Sequence, residues 1–208
     1  MVLSGLLIIL SSPSGGGKST LGRLCLDRME NLVYSVSYTS RSPRGAERDG
    51  IDYHFVTRSD FSSLVEEGFF LEWEEVHGNF YGTSRQAVQV LLDAGQDVLL
   101  DIDVQGGFHV QKLMPERAVL VFVLPPSKQI LQKRLVGRDT DAEEVVKLRM
   151  VNAEKEIARG VGYDYLIIND RIEEAANSLC CLVISERCRM IRQRDFLFQA
   201  GYLATIVE

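Results

Sequence analysis

The chain has 208 residues, 46% of them hydrophobic, which is enough to bury the core of one α/β domain carrying insertions. A formal net charge of −6 excludes a nucleic-acid polymer as a sequence-independent partner, because counterion release needs a basic surface. Small anionic ligands need only local basic clusters, and Arg41 with Arg44 and Lys133 with Arg134 and Arg138 supply them.

In chain order, residues 1–10 are apolar but have no Lys or Arg ahead of the apolar run, which makes a poor secretory signal. The run is also too short for a bilayer, which takes about 20 apolar residues. The expectation is a cytoplasmic protein without membrane attachment. Gly5 to Ser11 reads as a strand buried on both faces of a parallel sheet. Leu21, Leu24, Cys25 and Met29 then recur at helical spacing. Further apolar runs at Val98–Leu100 and Ala118–Leu124, each followed by a helical pattern, read as strands, Tyr165–Ile168 supplies another short strand, and a long closing helix is expected over 172–192. This alternation predicts a parallel sheet with helices on both faces. Two stretches interrupt it. Residues 33–81, rich in Tyr, Ser, Thr and Phe, predict a small β-rich insertion; 137–141 is a charged break that reads as a mobile flap. Cys25, Cys180, Cys181 and Cys188 have no paired metal-ligand spacing and read as thiols of a reducing compartment. The three histidines, His54, His77 and His109, are isolated and read as structural or surface groups.

Between the first strand and first helix lies Ser12-Pro13-Ser14-Gly15-Gly16-Gly17-Lys18-Ser19, followed by Thr20. It nearly matches the phosphate-binding pattern G-x-x-x-x-G-K-[ST]. Glycines let successive N–H groups converge on phosphate oxygens at a helix N-terminus. Lys18 adds a point charge for the β- and γ-phosphates, and the Ser19 hydroxyl suits Mg²⁺. Ser12 stands where the pattern has Gly; a positive φ there would cost of order 1 kcal/mol, any other conformation nothing. Asp101, at the end of a buried run, is the second Mg²⁺ candidate, although an Asp there also serves as a helix N-cap. The loop identifies a nucleoside-triphosphate user without naming the acceptor.

Five segments follow in order: Ser35 to Arg44, Gly50 to Phe55, Phe70-Leu-Glu-Trp73, Gly78 to Ser84 and Asp101 to Gly106. On these the chain closely resembles the guanylate kinases, over about Leu6 to Arg187. The resemblance implies a P-loop NTPase-like α/β fold whose core is 1–34, 84–126 and 159–208, with a GMP-binding subdomain at 35–83 and a lid at 127–158. It implies transfer of the ATP γ-phosphoryl group to GMP and dGMP with Mg²⁺. By the same resemblance Arg41 and Arg44 clamp the GMP phosphate with Ser37, Tyr53 and Tyr81, and Glu72, Thr83 and Asp103 read the guanine. Arg134, Arg138 and Arg149 serve the ATP phosphates, and Asn169 serves the adenine. Lys18, Arg41, Arg134 and Arg149 are the catalytic set. Chemistry agrees with the assignment: paired guanidiniums suit phosphate, and a carboxylate accepts both guanine N1–H and N2–H₂ while adenine offers it no such pair.

The sequence departs from the family's commonest pattern at Ser40, Phe80, Thr83 and Asp139, the last placing a negative charge beside Arg138. The other readings are a different nucleoside monophosphate kinase or a guanylate-kinase-like protein-binding module; intact Gly17-Lys18-Ser19 speaks against the module. The tail after Arg192 lies beyond the resemblance and packs on the body or on another subunit of a homo-oligomer.

Overall fold

The computed structural model describes residues 5–76, 78–136 and 143–203. The chain begins β1 (Leu7–Ser11), α1 (Lys18–Arg28), β2 (Leu32–Tyr34), β3 (Tyr38–Thr39), β4 (His54–Phe55), α2 (Arg58–Glu66), β5 (Phe70–Val76) and β6 (Asn79–Ser84). It continues α3 (Arg85–Asp93), β7 (Asp97–Asp101), α4 (Val104–Leu113), β8 (Ala118–Leu124), α5 (Lys128–Val136), α6 (Glu143–Gly160), β9 (Tyr165–Ile168), α7 (Ile172–Arg187) and α8 (Arg194–Gln199).

Five strands form a parallel sheet in the order β2-β7-β1-β8-β9. Because side chains alternate across a strand, β1 feeds two cores. Ile8 and Leu10 pack with Leu21 and Cys25 of α1 and with Leu179 and Val183 of α7. Leu7 and Ile9 pack with Val88 and Leu92 of α3 and Val110 of α4. Both faces are therefore covered, as the continuous apolar runs predict. The register Leu10↔Asp101 sets the end of β1, where the glycine loop starts, beside the end of β7.

The insertion is a second sheet, β4-β3-β6-β5, with α2 packed against it. The β-rich reading of 33–81 misses α2, whose signal was the run Thr57-Arg-Ser-Asp60: Thr57 accepts from the Asp60 N–H (3.1 Å) and donates to the Asp60 carboxylate (2.7 Å). Phe61 is its one buried residue, stacked on Phe70 and Phe80 at 4.4 and 5.3 Å between ring centres.

The expected closing helix over 172–192 stops at Arg187, and a 3₁₀ turn occupies Met190–Arg192. Glu186 explains the break. It is buried, and to pair it the chain folds back and brings Arg192 to 2.9 Å, beside Arg189 and the Tyr165 hydroxyl. The four cysteines are free thiols. No helix among the described residues is long and apolar enough to cross a membrane.

Candidate active site

One cavity of about 620 Å³ joins three parts of the molecule. Its floor is the glycine loop from Ser12 to Thr20 with Asp101, Ile102 and Asp103. The small sheet contributes Ser37, Tyr53, Glu72, Glu74, Tyr81 and Gly82, and the α5–α6 pair contributes Arg134 and Glu156.

The loop owes its shape to Gly15 and Gly17, at φ 83° and 88°, a left-handed conformation that other residues rarely adopt. Gly17 is also the N-cap of α1, so the helix's free N–H groups open toward the cavity. Ser12 is accommodated: its buried hydroxyl donates to the Pro13 carbonyl (2.8 Å) and fills the space where a Gly16 side chain would lie. Lys18 Nζ lies 2.7 Å from one Asp101 oxygen and donates to the Ile102 carbonyl at 3.2 Å; Ser19 Oγ donates to the other Asp101 oxygen at 2.7 Å. Burial works against the Lys18 charge, but Asp101 and then Asp103 outweigh it, so the pKa is raised and the ammonium persists. Asn169 is buried against the loop, its amide donating to the Gly16 carbonyl at 3.0 Å, while Arg134 donates to the Asn169 carbonyl at 3.0 Å. Asn169 thus braces the loop from the side of β9.

On the opposite wall Glu72 is 6% exposed and accepts the Thr83 hydroxyl at 2.5 Å. A register shift between Phe70 and Glu72 buries Phe70, Leu71 and Glu72 consecutively, where regular alternation would send one of them outward. Burial pushes the Glu72 carboxyl up to about 7, Asp103 and Glu74 adding to the rise while Thr83 and Lys18 oppose it. Asp103 uses Oδ1 to cap α4, accepting from Gln105 and Gly106 N–H at 2.7 and 2.9 Å. Thr83 is wholly buried behind Glu72. Tyr53 and Tyr81 meet edge to face in the cavity wall, 5.9 Å between centres.

Arg41 lies behind Tyr53, its guanidinium 4.7 Å from that ring, and is paired with Glu47. The Arg44 side chain is exposed beside it. Arg149 sits half-buried on α6, and Arg138 and Asp139 lie outside the described residues, as does His77. Sequence reasoning passed over Glu47, Glu74 and Glu156. Ser40 keeps its hydroxyl in use, accepting from Phe80 N–H at 2.8 Å, and Phe80 lies under the Arg58 guanidinium.

A parallel sheet whose first strand runs through a Gly-Gly-Gly-Lys-Ser loop into a helix, with that Lys and Ser against a carboxylate on the adjacent strand, defines the P-loop class of nucleotide-binding folds. A family model described as guanylate kinase matches residues 4–186. A guanylate kinase from Anaeromyxobacter dehalogenans is 50% identical over 188 residues, covering 90% of this chain and 83% of the relative. One from Syntrophotalea carbinolica is 43% identical over 206 residues, covering 99% and 96%. The crystal structure of guanylate kinase from Anaplasma phagocytophilum has a TM-score of 0.79 at 34% identity, covering 97% of each chain. The chain belongs to the guanylate kinase family.

Proposed function

We propose that this chain transfers the γ-phosphoryl group of ATP to GMP, and to dGMP, by direct in-line displacement, acting in the cytoplasm. The observation that carries the reading is that one cavity of about 620 Å³ is lined by both the phosphate loop and the buried Glu72 carboxylate. On this reading 1–34, 84–126 and 159–208 are the core P-loop domain, 35–83 the GMP-binding subdomain and 127–158 the lid. The lid has its own small core, Leu131 and Leu135 on Ala153, which suits movement as a unit.

ATP phosphates lie on the N–H groups of residues 14–20 with Lys18 at the β- and γ-positions, and Arg134 and Arg149 neutralise charge as it spreads over the transferring group. Arg138, by family resemblance, joins them on closure. Ser19 and Asp101 form a hard oxygen pair, 2.7 Å apart at the cavity wall, of the kind that holds Mg²⁺ together with phosphate oxygens and water. Ser19 and Asp101 would hold Mg²⁺ there, and the ion would supply positive charge that offsets the donor phosphates. On the acceptor side Arg41 and Arg44, with Ser37, Tyr53 and Tyr81, hold the GMP phosphate, while Glu72, positioned by Thr83 and assisted by Asp103, accepts guanine N1–H and N2–H₂. The attacking atom is an oxygen of a phosphate group already ionised near neutral pH, so no histidine or other general base is needed. Positioning and charge neutralisation are the protein's main tasks, and a closed lid keeps water from competing with GMP.

A coupled assay with ATP and Mg²⁺ against GMP, dGMP, AMP, CMP and UMP tests this. Rapid turnover of GMP and dGMP alone is the expected outcome; equal or faster turnover of AMP or a pyrimidine nucleotide would overturn the acceptor assignment, and no turnover at all would overturn the enzyme.

A further inference from the structure

The Arg41 guanidinium carries five N–H donors in a rigid plane, and three of them are already committed. Nη1 donates to Glu47 Oε2 at 2.6 Å and to the Ser42 carbonyl at 3.0 Å; Nη2 donates to Glu47 Oε1 at 2.8 Å. The carboxylate therefore grips the end of the fork. The two remaining donors, Nε–H and the second Nη2–H, lie together along one side edge of the plane. Nε is buried and has no hydrogen-bond partner. The group is 9% exposed, and an unmet donor on a buried cation is costly to leave without an acceptor. Tyr53 and Tyr81, both in the cavity wall, flank this guanidinium closely enough that both hydroxyls interact with it, although Nε itself has no acceptor.

We infer that Glu47 is a positioning residue for the acceptor phosphate: by holding Arg41 end-on, it leaves the Nε/Nη2 edge outside the ion pair and fixes it, beside the two tyrosine hydroxyls, to receive phosphate oxygens. This rests on the assignment of Arg41 to the GMP phosphate. Glu47 is well fixed for the task. Its Oε2 also accepts the Arg44 N–H at 2.8 Å, and the Arg41 bonds, then the Arg44 N–H, hold its carboxyl down at about 2, so it stays ionised throughout the working pH range. Glu47 spans Arg41 and the Arg44 backbone and so sets the spacing between the two arginines. The geometry opposes a competing role, in which the phosphate displaces Glu47 from the fork. Displacement would vacate the satisfied edge and leave the unsatisfied one, Nε, still without an acceptor.

The test is calorimetric binding of GMP and of guanosine, which lacks the phosphate, to full-length wild type, Glu47→Ala, Glu47→Gln, Glu47→Asp, Arg41→Ala and the Glu47→Ala/Arg41→Ala double variant, with KM for ATP measured alongside. Glu47→Ala is expected to weaken GMP about tenfold, as small misplacements of a binding group do. Guanosine affinity and KM for ATP stay unchanged, Glu47→Asp recovers part of the loss, and the effect vanishes in the Arg41→Ala background. A general structural role would move guanosine as well and would overturn the inference. Tighter or unchanged GMP binding in Glu47→Ala, with Arg41→Ala still weak, overturns the positioning role and leaves the clamp standing. Unchanged GMP binding in Arg41→Ala removes the clamp itself, and the role of Glu47 with it. Thermal melts establish which variants fold; should Glu47→Ala fail, Glu47→Gln, which loses one acceptor and turns an amide toward the fork, carries the same comparison.

Discussion

The two halves of the cavity are built on opposite plans. The donor side is contiguous: residues 12–20 are one loop and one helix start, and their partner Asp101 arrives through a single strand register. The proposed acceptor side is dispersed, taking Ser37, Tyr53, Glu72, Tyr81 and Asp103 from separate segments, with Arg41 behind Tyr53, and aligning them through pairings such as Glu72↔Thr83 and Tyr38↔Gly82. Their electrostatics differ too. The donor side offers a charged lysine that its carboxylate neighbours hold protonated, whereas the acceptor side holds a carboxylate that burial pushes toward its neutral form. A contiguous site tolerates little change at one residue, while a dispersed one divides its work.

Lys18→Ala should break this comparison most sharply. Turnover is expected to fall about 10³-fold, the scale of losing a charge stabiliser at the transition state, while calorimetric GMP affinity stays near wild type. A loss of GMP binding of similar size would mean that the halves are not separable. Next in size is Glu72→Gln. Its amide turns a donor toward the guanine donors, and the GMP/AMP ratio of kcat/KM should drop by about 10². A ratio moving less than about threefold, under 1 kcal/mol, would take base reading away from Glu72. Arg41→Ala follows, with GMP binding weakened by about 1.5 to 3 kcal/mol for a lost charge-assisted bond and KM for ATP unmoved.

What could be read in the sequence divides along the same line. The loop is legible because glycine, lysine and serine must be neighbours for N–H groups and charge to converge on one phosphate. The strands 7–11, 97–101 and 118–124 are legible because burial on both faces leaves unbroken apolar runs, and the edge strand 165–168, in which only Ile167 is buried, because its four residues are apolar. Glu72 is legible only by family resemblance, since a carboxylate beside an exposed Trp73 looks like surface until the register shift between Phe70 and Glu72 buries it. The Arg41–Glu47 pair spans six positions of irregular chain, a spacing that no helix or strand period marks, and so it went unread. The end of α7 was hidden for a similar reason: the arginines that pair Glu186 follow it in sequence and would be surface charges on a continued helix.

The smallest expected effect concerns pH and sets the halves against each other directly. Glu72 is buried, and burial, with Asp103 and Glu74 facing it, raises its carboxyl from 4.5 to about 7 against the opposing Thr83 hydroxyl and Lys18. The folded chain therefore binds this proton more tightly than the unfolded chain does. The stability that Glu72 contributes to the free protein is complete below about pH 4.5 and is lost as pH rises through about 7. Guanine needs the opposite state, because N1–H and N2–H₂ require acceptors that a protonated carboxyl only half supplies. Guanosine is the suitable probe, having no phosphate to titrate in this range. Its affinity should fall about tenfold between pH 8 and pH 6, roughly one unit of proton linkage, while the melting temperature of the free protein shifts upward. Glu72→Gln should flatten both profiles, and wild type should release a proton on binding guanosine near pH 7, detectable as a calorimetric heat that depends on the ionisation enthalpy of the buffer. A wild-type guanosine affinity that is flat from pH 6 to 8 would mean that Glu72 is either already ionised in the free site or not in contact with the base; the Glu72→Gln selectivity ratio separates these two cases, since only the second leaves that ratio unmoved.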